Sequence, residues 1–222
     1  MALFSKLFGD SGDELSPAKI KASSTKSLKS MGILVPDHLP TLEEESALAP
    51  KSATAVAYRC SVLNQIIGIG FGADIGGLRE ALIKYELLEY ASDHESEMLS
   101  RRVATAQEKI DAEWLVECMQ SFAWCLGLAD LNLLQHCDDD LTSCYPTPHE
   151  DPSAFIDASE LRPFTEIYRQ ADLHYRLHWA ARNARLNGDD FPVSESIIRE
   201  RRRALDWVIG VEDNWDDVPS DT

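Results

Sequence analysis

The sequence predicts a mainly α-helical fold: a single helical-bundle-like domain with long irregular loops, preceded by a flexible N-terminal tail. Three observations predict it. Apolar residues recur at helical spacing through several long windows. Hydroxyl and carboxylate side chains stand three apart, as in capping boxes, at two helix starts, and no window alternates apolar and polar residues as a half-buried strand does. With 222 residues, 44% of them hydrophobic, the chain can bury one sizeable core. The domain is assigned to residues 31–222 and the tail to residues 1–30.

The tail earns its assignment by composition. Residues 9–30 are rich in Ser, Lys, Gly and Asp, although Leu3, Phe4, Leu7 and Phe8 would form one apolar face of a short helix. From Met31 to Pro40 the chain reads as an extended strap packed along the body, because Pro36 and Pro40 each bias the preceding residue away from helix. Helical spacing begins at Ser52 with Val56, Cys60, Leu63 and Ile67, and Gly68, Gly70 and Gly72 end it. A second helix follows Gly76-Gly77, with Leu78, Ala81, Leu82 and Tyr85.

Ser92 with Glu95, and Thr105 with Glu108, fit capping boxes. The second box opens the strongest core helix, whose stripe holds Ile110, Trp114, Cys118, Phe122 and Cys125 and stops at Gly127. Residues 136–163, with Asp138-Asp139-Asp140 and four prolines, read as one long loop. Two helices close the chain, from about Phe164 to Leu186 and from Ser194 to Ile209. Val193 and Ile198 stand at the positions of a hydrophobic staple on the second.

Charge restricts the partners. There are 38 acidic and 21 basic residues, for a net charge of -17. The first 30 residues carry five lysines and three acids, which leaves -19 for the body. Such a body repels phosphate backbones and anionic lipid, so nucleic acid is not an expected partner, and a protein with a basic surface is. Five cysteines form an odd set that argues against a disulfide framework and for the cytoplasm. The most apolar stretch, Val62 to Phe71, is about half the length of a membrane span.

Motifs that carry chemistry are sparse. Gly68-Ile69-Gly70-Phe71-Gly72-Ala73 matches a loose dinucleotide pattern, but a helical period precedes it where a strand is needed, so it reads as an interhelical turn. His174 and His178 have the spacing of helix metal ligands without the glutamate of zinc hydrolases. His136, Cys137, Cys144 and His149 lack a zinc-ribbon spacing, and neither metal nor cofactor is expected. The polar cluster Asp172, Tyr175, Arg176, His178 and Arg182 offers two readings. One is a structural ion-pair network completed by Glu200 or Asp206; the other is an anion site.

The chain resembles the bacterial family described as domain of unknown function 4272. The likeness rests on Gly32-Ile33, Val35-Pro36 and Leu39-Pro40, on Ala57-Tyr58-Arg59-Cys60, and on Glu117 to Leu128. It continues through Asp172 to Ala180, Leu186-Asn187-Gly188, Glu200 to Leu205 and Trp215-Asp216-Asp217-Val218. Similar chains tend to carry Asn where this one has Asp206, whose carboxylate is expected to pair with Arg182. The resemblance implies an outline and no chemistry.

The expectation is a non-catalytic acidic interaction protein, in its most concrete form an immunity or antitoxin-like protein that neutralises a basic toxin. Asp138, Asp139, Asp140, Asp213, Asp216 and Asp217 are its candidate partner-binding residues. The alternative is an enzyme acting on an anionic small molecule, with His178 as acid or base and Arg182 and Tyr175 orienting the substrate.

Overall fold

The computed structural model describes residues 16–219. Eight helices, α1 (Pro17–Ser30), α2 (Ala53–Gly70), α3 (Ile75–Lys84), α4 (Asp93–Ser100), α5 (Ala106–Cys125), α6 (Ser153–Asp157), α7 (Phe164–Asn187) and α8 (Glu195–Ile209), and four short 3₁₀ turns hold the described residues, with no strand among them. The fold is mainly α.

The long helices pack in the order α2, α5, α8, α7, α1. Because α5 has a helix on either side, its second half, Glu117 to Cys125, is buried on every face. One apolar cluster joins α2, α3, α5 and the end of α8; a second joins Leu173 and Leu177 of α7 to Ile197 and Ile198 of α8. The apolar stripe of α5 starts later than its spacing predicts, since Ile110 is 47% exposed and burial begins at Ala112 and Leu115.

The sequence places residues 1–30 in a flexible tail, and the structure corrects this for residues 17–30. They form α1, docked on α7. Pro17 opens the helix, where its missing N–H costs nothing. Ile20, Ser24 and Leu28, four apart, supply the buried face. Between Ile20 and Leu28 that face is filled by Ser24, Thr25 and Ser27, so a count of large apolar groups misses it. Residues 1–15, with Leu3, Phe4, Leu7 and Phe8, lie outside the described residues.

The strap behaves as its prolines predict. Ile33, Val35 and Leu39 are buried in the second cluster, and Lys21 on α1 donates to the carbonyls of Asp37 (2.7 Å) and Leu39. Both capping boxes form, with Ser92 Oγ accepting from Glu95 N (3.3 Å) and Thr105 Oγ1 from Glu108 N (3.2 Å). The glycine run ends α2, and Gly70 also lets α2 approach α5: a Cβ there would lie 2.9 Å from Glu113 N and Lys109 O.

The long loop contains a 3₁₀ turn, Leu141–Cys144, and the short helix α6, and it is tied to the helices at several points. Gln120 Nε2 donates to Asp138 Oδ2 (2.9 Å), Tyr145 Oη to Met119 O (2.6 Å), and Gln65 Nε2 to Pro148 O (2.7 Å). No helix among the described residues is long and apolar enough to cross a membrane.

Candidate functional site

The polar cluster of α7 lies in the seam between α7 and α8. Arg176 forms a two-pronged pair with Asp172 (Nε to Oδ2 2.9 Å, Nη2 to Oδ1 2.5 Å) and donates to Pro40 O at 3.1 Å. The guanidinium sealed on α7 is therefore Arg176; Arg182 is half-buried. Asp206, expected to pair with Arg182, accepts at 2.9 Å from Nε of Arg202, one turn away on its own helix. Tyr175 sets its ring against the guanidiniums of Arg202 (5.0 Å) and Arg176 (5.7 Å).

His178 is 1% exposed. Arg202 Nη1 lies 3.2 Å from its Nδ1 and can only donate, so the proton of the neutral ring sits on Nε2, 3.8 Å from Glu195 Oε1. The structure brings His178, Tyr175 and Arg202 together, but in packed protein. His174 is also sealed, with Nδ1 2.9 Å from Gln170 O.

These buried groups make a testable statement about pH. Burial pushes His174 down to about 3; burial first, and then the charge of Arg202, push His178 down to about 4. Both rings are thus neutral in the native state but protonate near 6.5 once unfolded, so native stability is lost as pH falls below about 6.5. Asp206 opposes this. Burial, partly offset by Arg202, raises its carboxyl from 3.8 to about 6, so the native state holds an extra proton between those values. Two histidines against one carboxyl leave one net proton, or at most about 1.4 kcal/mol of stability lost per pH unit from these groups between pH 6 and 4. Urea unfolding at about pH 7, 6 and 5 should show this fall, and His178→Gln should flatten it. A fall equally steep in the variant would remove His178 from the account.

The candidate acids form two separate groups. Asp138 is built into the loop, its Oδ2 accepting from Gln120 Nε2 (2.9 Å) and its N–H donating to Gln120 Oε1 (2.9 Å), while Asp139 and Asp140 are exposed beside it. Asp213 pairs with Lys51, Asp217 accepts from Asn214 Nδ2 at 3.0 Å, and Asp216 accepts from the backbone N–H of His94 at 3.0 Å.

Asp216 leads to a site that sequence spacing does not reveal. A cleft of about 310 Å³ opens between α4, the first half of α5, α8 and the Trp215–Asp217 turn. Ile66, Met98 and Leu115 provide apolar lining, and Trp114 and Trp215 are its aromatic residues. Trp215 is fixed by cations, with Arg203 4.2 Å and Arg59 4.8 Å from its ring. Arg203 Nη2 also donates to Trp215 O at 3.2 Å.

The charges lining the cleft are unequally committed. Glu95 pairs with Arg59, Glu108 with Arg101, and Glu200 with Arg199 at 2.8 Å. Asp111 accepts only from the neutral Gln107 side chain (2.8 Å) and Asp216 from a backbone amide. Among the described residues no lysine or arginine forms an ion pair with either carboxylate. Trp215, Asp216 and Val218 of the Trp-Asp-Asp-Val motif, legible in the sequence only as a mark of family resemblance, are in three dimensions part of the cleft lining.

Comparison with known proteins adds a family and no chemistry. The family model described as Domain of unknown function (DUF4272) matches residues 20–218, and the chain belongs to that family. No curated protein and no solved structure matches it.

Proposed function

We propose that this member of a family without an established function is a non-catalytic, acidic, cytoplasmic protein that binds a partner with a basic surface. An immunity or antitoxin-like protein that occludes a basic toxin is its most concrete form. One observation carries the reading: the fold consumes its arginines internally. Arg59 is paired with Glu95, Arg176 with Asp172, Arg201 with Glu117 and Arg202 with Asp206, each largely buried. Acidic side chains therefore outnumber basic ones by about three to one among the exposed described residues. A surface of that sign speeds encounter with a cationic partner and repels nucleic acid. The enzymatic alternative needs His178 to meet a substrate, and its 1% exposure gives that no support.

The test reconstitutes the chain with a candidate basic partner, such as the product of a neighbouring gene, from purified components. The dissociation constant should weaken at least about tenfold between roughly 0.05 and 0.5 M salt, as screening shortens the reach of the charges. Reversing exposed Glu43, Glu44, Asp139 and Asp140 to lysine should weaken it further. Affinity indifferent both to salt and to charge reversal would sink the electrostatic reading.

A further inference from the structure

We propose that the cleft between α4, α5, α8 and the Trp215 turn receives an arginine side chain of the basic partner. This rests on the binding function proposed above and assigns it a place. A volume of about 310 Å³ exceeds what one guanidinium and its methylene stem require, and it lies at the lower end of ligand-sized pockets.

The lining matches the parts of an arginine. Ile66, Met98 and Leu115 suit the methylene stem, and half-buried Trp114 supplies an indole on which a planar guanidinium stacks. Asp111 on α5 and Asp216 on the C-terminal turn are the lining carboxylates that no cation pairs among the described residues, and each keeps an oxygen able to accept from a guanidinium. Arg199 and Arg203 share Glu200, at 2.8 and 3.9 Å, so together they offset only one of these two charges and the lining stays negative, with Arg203 further fixed on Trp215. Within the structure the same turn already holds guanidiniums against an indole, in the contacts of Arg59 and Arg203 with Trp215.

Charge selects the occupant. Residues 1–15 of this chain carry one lysine against three acids, and a second copy of a chain with net charge -17 is repelled at an acidic cleft. Neither supplies the match that an external basic protein does.

The experiment uses the full chain and titrates tetra-arginine amide into it by calorimetry at low salt, with tetra-citrulline amide as the uncharged isostere. Two double variants are compared, Asp111→Asn with Asp216→Asn in the cleft and Asp189→Asn with Asp190→Asn at exposed positions beyond the end of α7, after thermal unfolding confirms that both are folded. They remove the same charge. The cleft pair is expected to weaken tetra-arginine binding about tenfold or more, the outside pair by less than about twofold, and tetra-citrulline should not bind. Equal losses in the two variants, or equal binding of the citrulline peptide, overturn the cleft assignment and leave the acidic-surface function standing. If tetra-arginine does not bind the unaltered chain at all, the cleft assignment and the function beneath it both fail.

Discussion

Gly210→Ala is expected to lower the stability of the fold by about 3 kcal/mol or more, through two separable effects. Gly210 ends α8 in the left-handed region at φ 83°, with its N–H donating to Trp207 O and that of Val211 to Asp206 O, both at 3.0 Å. A side chain in that conformation costs of order 1–3 kcal/mol by itself. The second effect is steric. A Cβ at this position would lie 2.1 Å from the carbonyl carbon and oxygen of Ala49, so the chain around Ala49 would have to move away. Moving it would break the bonds from Ala49 N to Gly210 O (3.2 Å) and from Lys51 N to Val208 O (2.9 Å).

Gly188 provides the control. It ends α7 at φ 76°, yet nothing lies within 4 Å of its added Cβ. Gly188→Ala should therefore show the conformational cost alone, about 1 kcal/mol, by urea unfolding. The difference between the two alanine variants measures the close approach at Gly210, and equal effects would mean that the chain around Ala49 is not held there. The consequence reaches the cleft. Lys51 pairs with Asp213 and lies 5.4 Å from the Trp207 ring, which in turn packs edge-on against Trp215 at 6.0 Å.

What the sequence made legible follows from the range of the interactions. The helices from α2 onward, except the five-residue α6 inside the stretch read as a loop, were readable because their signals are local: capping boxes at Ser92 and Thr105, terminal glycines at 188 and 210, and apolar spacing within one element. Helix α1 was missed because Ser24 and Ser27 are buried by contact with α7, which composition reports as polar chain. The polar seam was readable as an ion-pair network but not in its pairings, since six arginines stand from Arg176 to Arg202 on the two helices and only packing tells them apart. Asp206 shows this, engaging Arg202 where Arg182 was expected. The cleft was illegible for a stronger reason. Its residues run from Ile66 to Val218, and neither Trp114 nor Asp216 has a local signal that names the other as a neighbour.

Arg201→Met is expected to cost about 3–5 kcal/mol, because it leaves the Glu117 carboxylate buried without its counter-charge. Arg201 and Glu117 are 1% and 4% exposed at their side chains, and Nε of the arginine donates to Glu117 Oε2 at 2.8 Å. Nη1 of Arg201 reaches Asn132 O at 2.5 Å, and Glu117 Oε1 accepts from Cys137 N at 3.1 Å. One pair thus joins α8 to α5 and fastens both ends of the segment between Asn132 and Cys137. Combining Arg201→Met with Glu117→Gln should restore at least half of the loss. The neutral amide still accepts from Cys137 N, and no buried charge remains. Urea midpoints of the two single variants and the double close the cycle, and a double variant no more stable than Arg201→Met would show that packing, not charge, sets the cost. The same variant separates fold from function. It removes one positive and one negative charge from the interior, so the net charge and the exposed acidic surface are unchanged. Affinity for a cationic partner should therefore survive in the double variant, because the arginines within the bundle allow the surface to be acidic without themselves meeting the partner.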